Sequence, residues 1–284
     1  MKAAGRARLD RISLQLAVGV AAEIVGLTNS NQAAMSSRIG ATLSPTPPHM
    51  WKWLTRLLKP TASKLSAINF FYRDVRPAIA ARRSTRSDDI ISHLLDEGYS
   101  DEAILIECMT YAVAGMVTTR EFIVMAAWHL FERTALFERF LAGDEEDQFA
   151  ILEEILRLDP VASMLHRRAS VEMPVPGSDP IAPGTLLAID IGAVNADVSV
   201  TGACPHMIDP DRAKRMKTAG GYLSFGYGSH RCPGSKVAMY ETRVFLDRLL
   251  RIPGVRLERE PEIGCCEMLM SYELRGAVVA CNRS

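Results

Sequence analysis

The ten residues FGYGSHRCPG, positions 225–234, constrain this chain more than any other stretch. Glycines at 226, 228 and 234 permit positive φ and let another group approach the main chain closely. Pro233 suits the first residue of a helix predicted over 235–252, SKVAMYETRVFLDRLLRI. Cys232 is then expected just before a helix N-terminus, where amide N–H groups and the positive dipole end stabilise a negative sulfur. A thiolate held by several such donors is a strongly donating metal ligand. The plain alternative is a tight turn with an inert, buried cysteine. A further metal reading takes Cys204 and His206 from "CPH" with His230 and Cys232 from "HRC" as a zinc set, although a single intervening residue is unusual spacing for structural zinc.

The rest of the chain supplies a sizeable core, since 48% of its 284 residues are hydrophobic. Equal numbers of basic and acidic side chains, 33 of each, remove the usual electrostatic basis for binding nucleic acid or an anionic membrane. The opening MKAAGRARLD is followed by no apolar run or small-residue cleavage site, so it does not read as a secretory leader. The longest apolar stretch, 104–131, is interrupted by Glu107, Arg120 and Glu121, charges that a membrane-spanning helix rarely carries. A cytoplasmic chain without a membrane anchor is expected. Its six cysteines read as free thiols in a reducing compartment, most of them core residues.

Apolar spacing predicts helices over 12–27, 29–39, 62–83, 87–98, 104–131 and 144–158. A proline-interrupted connection carrying Trp51 and Trp53 lies over 40–60. From about 170 to 200 the Pro/Gly punctuation and β-branched runs predict short strands, then 203–222 is irregular, and two or three strands follow over 255–282. The fold class is mainly α with minor β. Gly115 within the long helix costs up to about 1 kcal/mol relative to alanine, which calls for a packing or ligand reason. Thr118 sits one turn beyond Ala114 and can bond its carbonyl. Glu154 and Arg157 form an i,i+3 pair, which alone is common on helix surfaces.

The string Phe-Gly-x-Gly-x-His-x-Cys-x-Gly resembles the haem-ligand loop of the cytochrome P-450 monooxygenases. The resemblance implies that Cys232 is the axial thiolate of haem b, with Phe225 and Gly226 packed beside sulfur and porphyrin and His230 directed to a propionate. It implies that Arg167 reaches a propionate, with Arg168 as the alternative register. Glu154 and Arg157 would pair with Arg212 from "IDPDR", and Ala114 and Gly115 would lie over the distal haem face, with Thr118 assisting proton delivery. The implied reaction inserts one oxygen atom from O2 into an apolar substrate, with electrons from NAD(P)H through ferredoxin reductase and ferredoxin. Docking would use Arg231 and Lys236, and Tyr111 and Met116 would contribute to substrate recognition. A monomer is expected, folded as one domain over 1–284.

Two departures from that pattern stand out. Val117 occupies the position where the family usually has an acid, which removes one proton relay and motivates a second reading, a non-catalytic or degenerate haem-binding protein. The motifs also run from about residue 10 to the end, so about a quarter of a usual bacterial-type domain is expected to be missing ahead of them.

Overall fold

The computed structural model describes residues 5–42, 65–266 and 270–282. Trp51 and Trp53 lie outside these residues. The chain divides into two compact units, one of Leu9–Arg120 and one of Met1–Arg8 with Glu121–Ser284.

The Leu9–Arg120 unit is helical. Its helices span Leu9–Val25, Gln32–Thr42, Arg76–Ser84, Ile90–Asp96 and Asp101–Tyr111. The first begins and ends two or three residues before the predicted 12–27. Leu14, Val18, Ala22 and Val25 recur on its buried face, and Met35, Ile79, Ile91 and Ile104 are buried in the same unit. Capping is explicit: Asp89 accepts from the Ser92 amide and Ser100 from the Ala103 amide. Asp74, fully buried, is neutralised by a two-pronged contact with Arg38.

Two stretches in this unit are wound more widely than an α-helix, Phe71–Val75 and Ala112–Val117. Sequence periodicity predicted plain helix through both, because one extra residue in a turn leaves the apolar spacing nearly unchanged. Such wide turns concentrate at functional sites. Cys108, packed one turn before the second stretch, has its thiol pushed up to about 12 by burial and by the neighbouring Glu107 carboxylate, so it stays an inert, neutral core residue.

The other unit combines helices with three small sheets. Helices Thr134–Ala142, Glu145–Leu158 and Ser235–Leu250 pack on one another through Leu136, Phe140, Ile151, Ile155 and Leu246. Asp144 caps the second of these by accepting from the Asp147 amide. Strands β1 (Arg6–Arg8), β7 (Val278–Ala280) and β4 (Arg256–Arg259) form an antiparallel sheet with β7 in the middle. Strand β2 (Met164–Arg168) pairs with β3 (Leu186–Asp190), and β5 (Glu262–Cys266) with β6 (Ser271–Arg275).

The end of the chain thus holds four strands where two or three were expected, since the short β7 has too few residues to show alternation. Strand β1 was not foreseen, because three residues with two arginines carry no strand pattern. Arg167 and Arg168 lie inside β2 rather than ahead of a strand, and the predicted strand region starts six residues earlier than about 170.

By length and composition the helical run Asp101–Glu132 could cross a membrane. Yet Glu121 within it is buried and bonded at both oxygens: it accepts from the Leu274 amide at 2.8 Å and from Arg275 at 2.8 and 3.0 Å. A carboxylate satisfied this way belongs to a protein interior.

Candidate functional site

The Glu154–Arg157 pair is not a surface pair. Arg157 is 0% exposed and Glu154 4%, and the guanidinium bonds both carboxylate oxygens at 2.8 Å in a fork. Its remaining N–H groups reach the carbonyls of Asn195 at 2.8 Å and Pro205 at 2.7 Å. Arg212, equally buried, donates to Glu154 Oε1 at 2.9 Å and to the carbonyls of Thr201, Ala203, Cys204 and Met207 at 2.9–3.1 Å. That is one bond for each of its five N–H groups. Two arginines on one carboxylate therefore gather the carbonyls of the irregular 195–207 segment. A segment with so little regular structure has no ladder to satisfy its main chain, and side-chain donors take over that role.

Sequence reasoning missed two members of this network. Asn195, 0% exposed, closes the short Ile191–Asn195 helix. Its Nδ2 donates to the Arg157 carbonyl at 3.1 Å and to Ser224 Oγ at 2.9 Å, while its Oδ1 accepts from the Leu223 amide at 3.0 Å. Ser224 in turn donates to the Leu156 carbonyl at 2.7 Å. The only signal in the sequence was a lone Asn among small residues, which reads equally well as a turn residue. Tyr222, with its ring 5.8 Å from the Arg157 guanidinium, belongs to the same cluster.

From Leu223 the chain enters the cysteine loop. The Gly226 amide donates to the Leu223 carbonyl, and the Cys232 amide to the Phe225 carbonyl, both at 2.8 Å. Gly226 has φ +73°, and a Cβ there would stand 3.3 Å from the His230 carbonyl oxygen. This is a cradle that only glycine fits. Gly228 adopts φ +66° in open space and begins a short 3-10 turn, Gly228–His230. The following helix starts at Ser235 with Gly234 as its cap, so Pro233 lies two residues before it rather than at its first position. Gly234 holds φ −85° and ψ 5°, outside the helix.

The expected amide cage around the sulfur is also absent. Among the described residues the Gly226, Arg231 and Cys232 amides go to loop carbonyls, and no N–H donates to Cys232 Sγ. Cys232 is a half-buried free thiol. Tyr227, His230 and Arg231 around it are exposed. Arg167, also exposed, donates only to the adjacent His166 carbonyl, whereas Arg168 is tied to the Gly184 carbonyl at 2.6 Å. Each guanidinium uses one nitrogen, Nη1, in these bonds.

In the Leu9–Arg120 unit, Thr118 Oγ1 donates to the Ala114 carbonyl at 2.5 Å across the wide Ala112–Val117 turn. Ala114 is exposed, and a Cβ on Gly115 would meet nothing within 4 Å. Val117 is 2% exposed. A carboxylate there would need a partner to offset its desolvation, so an apolar side chain fits the packing. Met116 is fully buried and does not line a recognition surface, unlike the reading from sequence.

No group of three or more His, Cys, Asp or Glu side chains that could hold a metal ion occurs among the described residues. The zinc set of Cys204, His206, His230 and Cys232 is therefore not formed. A metal on Cys232 would have to bring its other ligands with it, as a porphyrin does. A half-buried thiol on a glycine-rich loop, with exposed Arg231 and His230 beside it in the chain, fits haem.

Comparison with known proteins agrees. The family model "Cytochrome P-450" matches residues 149–260, a span that takes in Glu154, Arg157, Arg167, Arg212 and the whole cysteine loop. Over that span the chain is similar to the cytochrome P-450 family. It is 27% identical over 267 residues to the erythromycin C-12 hydroxylase of Saccharopolyspora erythraea, covering 89% of this chain and 63% of that protein. The crystal structure of a cytochrome P-450 with an acyl carrier protein ligated to hexadec-9Z-enoic acid superposes with TM-score 0.80 and 23% identity, covering 99% of this chain and 70% of that one. A Bacillus megaterium cytochrome P-450 in complex with corticosterone gives TM-score 0.80 and 24% identity, covering 99% and 74%. The fold is that of the cytochromes P-450. The chain spans between 41% and 63% of the length of the first four curated relatives.

Proposed function

We propose that this chain is a haem-dependent monooxygenase, residues 1–284 forming one haem-thiolate domain. It would insert one oxygen atom from O2 into an apolar small molecule, using electrons from NAD(P)H delivered by a ferredoxin reductase and a ferredoxin. The observation that carries this reading is the exposed-edge thiol of Cys232 on a loop whose backbone only glycine can follow, anchored to a buried Glu154–Arg157–Arg212 network.

Cys232 would ligate the iron of haem b, with Phe225 and Gly226 beside the sulfur. Arg167 and His230 would hold the propionates, and both side chains face solvent with donors to spare. When bound, the haem supplies reductive activation of dioxygen, which a thiolate ligand favours by donating electron density. Ala114 and Gly115 offer a surface low enough for a flat group. Thr118 holds its hydroxyl proton at the Ala114 carbonyl and would hand it on when that bond opens. Arg231 and Lys236 would dock an acidic electron donor, a role read out by a salt-dependent reduction rate that weakens in Lys236→Glu. The named relative hydroxylates erythromycin, and solved neighbours hold corticosterone or hexadec-9Z-enoic acid. All are carbon-rich molecules, which supports an apolar substrate here. A cytoplasmic location and a monomeric state complete the reading.

Buried Val117, standing where the family usually has an acid, favours a second reading: a haem-binding chain without turnover. One experiment separates them. The haem-loaded chain is expected to show the red-shifted Soret band of a thiolate-bound ferrous carbonyl complex, lost in Cys232→Ala. Product formation with redox partners then marks the enzyme, and its absence the non-catalytic form. A spectrum unchanged by Cys232→Ala would remove Cys232 as the ligand.

A further inference from the structure

We infer that Asn195 is a positioning residue whose buried carboxamide sets the cysteine loop on the Glu154–Arg157–Arg212 network. The inference rests on the haem-thiolate reading above for its purpose, and on the hydrogen bonds of this chain alone for its geometry.

The orientation of the Asn195 amide is unambiguous. Its Nδ2 faces the Arg157 carbonyl, which can only accept, and its Oδ1 faces the Leu223 N–H, which can only donate. Ser224 Oγ gives its single proton to the Leu156 carbonyl, so it accepts the second Nδ2 hydrogen. The Asn195 carbonyl accepts from Arg157 Nη1 at 2.8 Å. Every polar group of the side chain is therefore used, at 0% exposure, and all of its partners lie either on the last turn of the Glu145–Leu158 helix or at 223–224.

The consequence follows the chain. Leu223 gives its N–H to Asn195 and its carbonyl to the Gly226 amide. Phe225, between them, gives its carbonyl to the Cys232 amide. Arg157 and Cys232 are thus joined by one side chain and a short series of main-chain bonds. Arg157 fixes where Asn195 sits, and Asn195 fixes where the loop begins. Without the carboxamide, the half-exposed loop keeps the single Ser224 Oγ bond to the Leu156 carbonyl and otherwise bonds to itself, which holds its internal shape but weakens its placement. No aspartate can replace it. Asp at 195 accepts from Leu223 as before but makes neither donation, and sets its charge against the Arg157 carbonyl.

The test uses amide hydrogen exchange on the chain without haem, comparing the parent, Asn195→Asp, Ser224→Ala, Ser224→Thr and a buried control, Gln148→Ala. Gln148 is 3% exposed and bonded to the Phe140 carbonyl and Asp247, remote in sequence from the loop. Exchange at Leu223, Gly226 and Cys232 is expected to rise about tenfold in Asn195→Asp and Ser224→Ala, to return towards the parent rate in Ser224→Thr, and to stay unchanged in Gln148→Ala. With haem added, the first two variants are expected to take it up but show a severalfold smaller share of the thiolate-type ferrous carbonyl band. Loop exchange in Asn195→Asp and Ser224→Ala no faster than in Gln148→Ala, or a carbonyl spectrum identical to the parent's, overturns the inference. Failure of the parent itself to take up haem would overturn the functional reading instead, and the exchange rates would still decide the role of Asn195. Should Asn195→Asp not fold, Ser224→Ala removes one hydroxyl from the same relay and answers alone.

Discussion

The network around Glu154 and the loop around Cys232 are joined through Asn195 and a short series of main-chain hydrogen bonds, yet they are built in opposite ways. Arg157 and Arg212 are buried, and every N–H of Arg212 is used within the chain. The loop bonds mainly to itself and leaves Tyr227 83% exposed. The first is complete as it stands. The second leaves its side chains open to solvent. Buried and exposed polar groups thus fall to different residues along one hydrogen-bonded path.

Breaking the network should do the most harm. Arg157→Ala strands the Glu154 carboxylate with one arginine and orphans the Asn195 and Pro205 carbonyls, for an expected loss of about 3–5 kcal/mol. Little soluble protein should be recovered, and a soluble variant that melts like the parent would refute the contrast. Next comes Gly226→Ala within the loop, where positive φ and the His230 carbonyl oppose a Cβ. It should cost about 1–2 kcal/mol by thermal melting. Cys232→Ala should change the haem-free melting by no more than about 0.5 kcal/mol, because the sulfur holds nothing up.

The smallest effect concerns acid. The Arg139 guanidinium beside Asp211 holds its carboxyl below its ordinary value of 3.8, and Arg215 does the same for Asp209. A depressed carboxyl stabilises the fold above its ordinary range and loses that contribution as pH falls through the lowered value. Melting should be steady above about pH 5 and decline in acid. Asp211→Asn should melt lower than the parent at pH 7 by under about 1 kcal/mol, since Asp211 is exposed and Arg139 only half-buried, and the gap should close below about pH 4.

What the sequence made legible follows the same division. The cysteine loop declares itself because its demands are local: positive φ needs glycine within a few residues. Glu154, Arg157 and Arg212 stand out in the sequence only through resemblance to a family's spacing, since burial of an i,i+3 pair is decided by segments 38 to 58 residues away. Asn195 was not found at all, because its importance lies in what surrounds it rather than in its neighbours along the chain. The wide turn at 112–117 escaped for a different reason. Apolar periodicity reports which face is buried and is blind to whether a carbonyl bonds the fourth or the fifth residue onward.

Glu121 leaves a last consequence, one of timing. Its partners Leu274 and Arg275 follow it by 153 and 154 residues. At a synthesis rate of about 5–20 residues per second, the carboxylate waits roughly 8–30 s for them to be made. Until then the two bonds from β6 to this carboxylate cannot form, so the pairing of the Asp101–Glu132 run with β6 is a late event in synthesis.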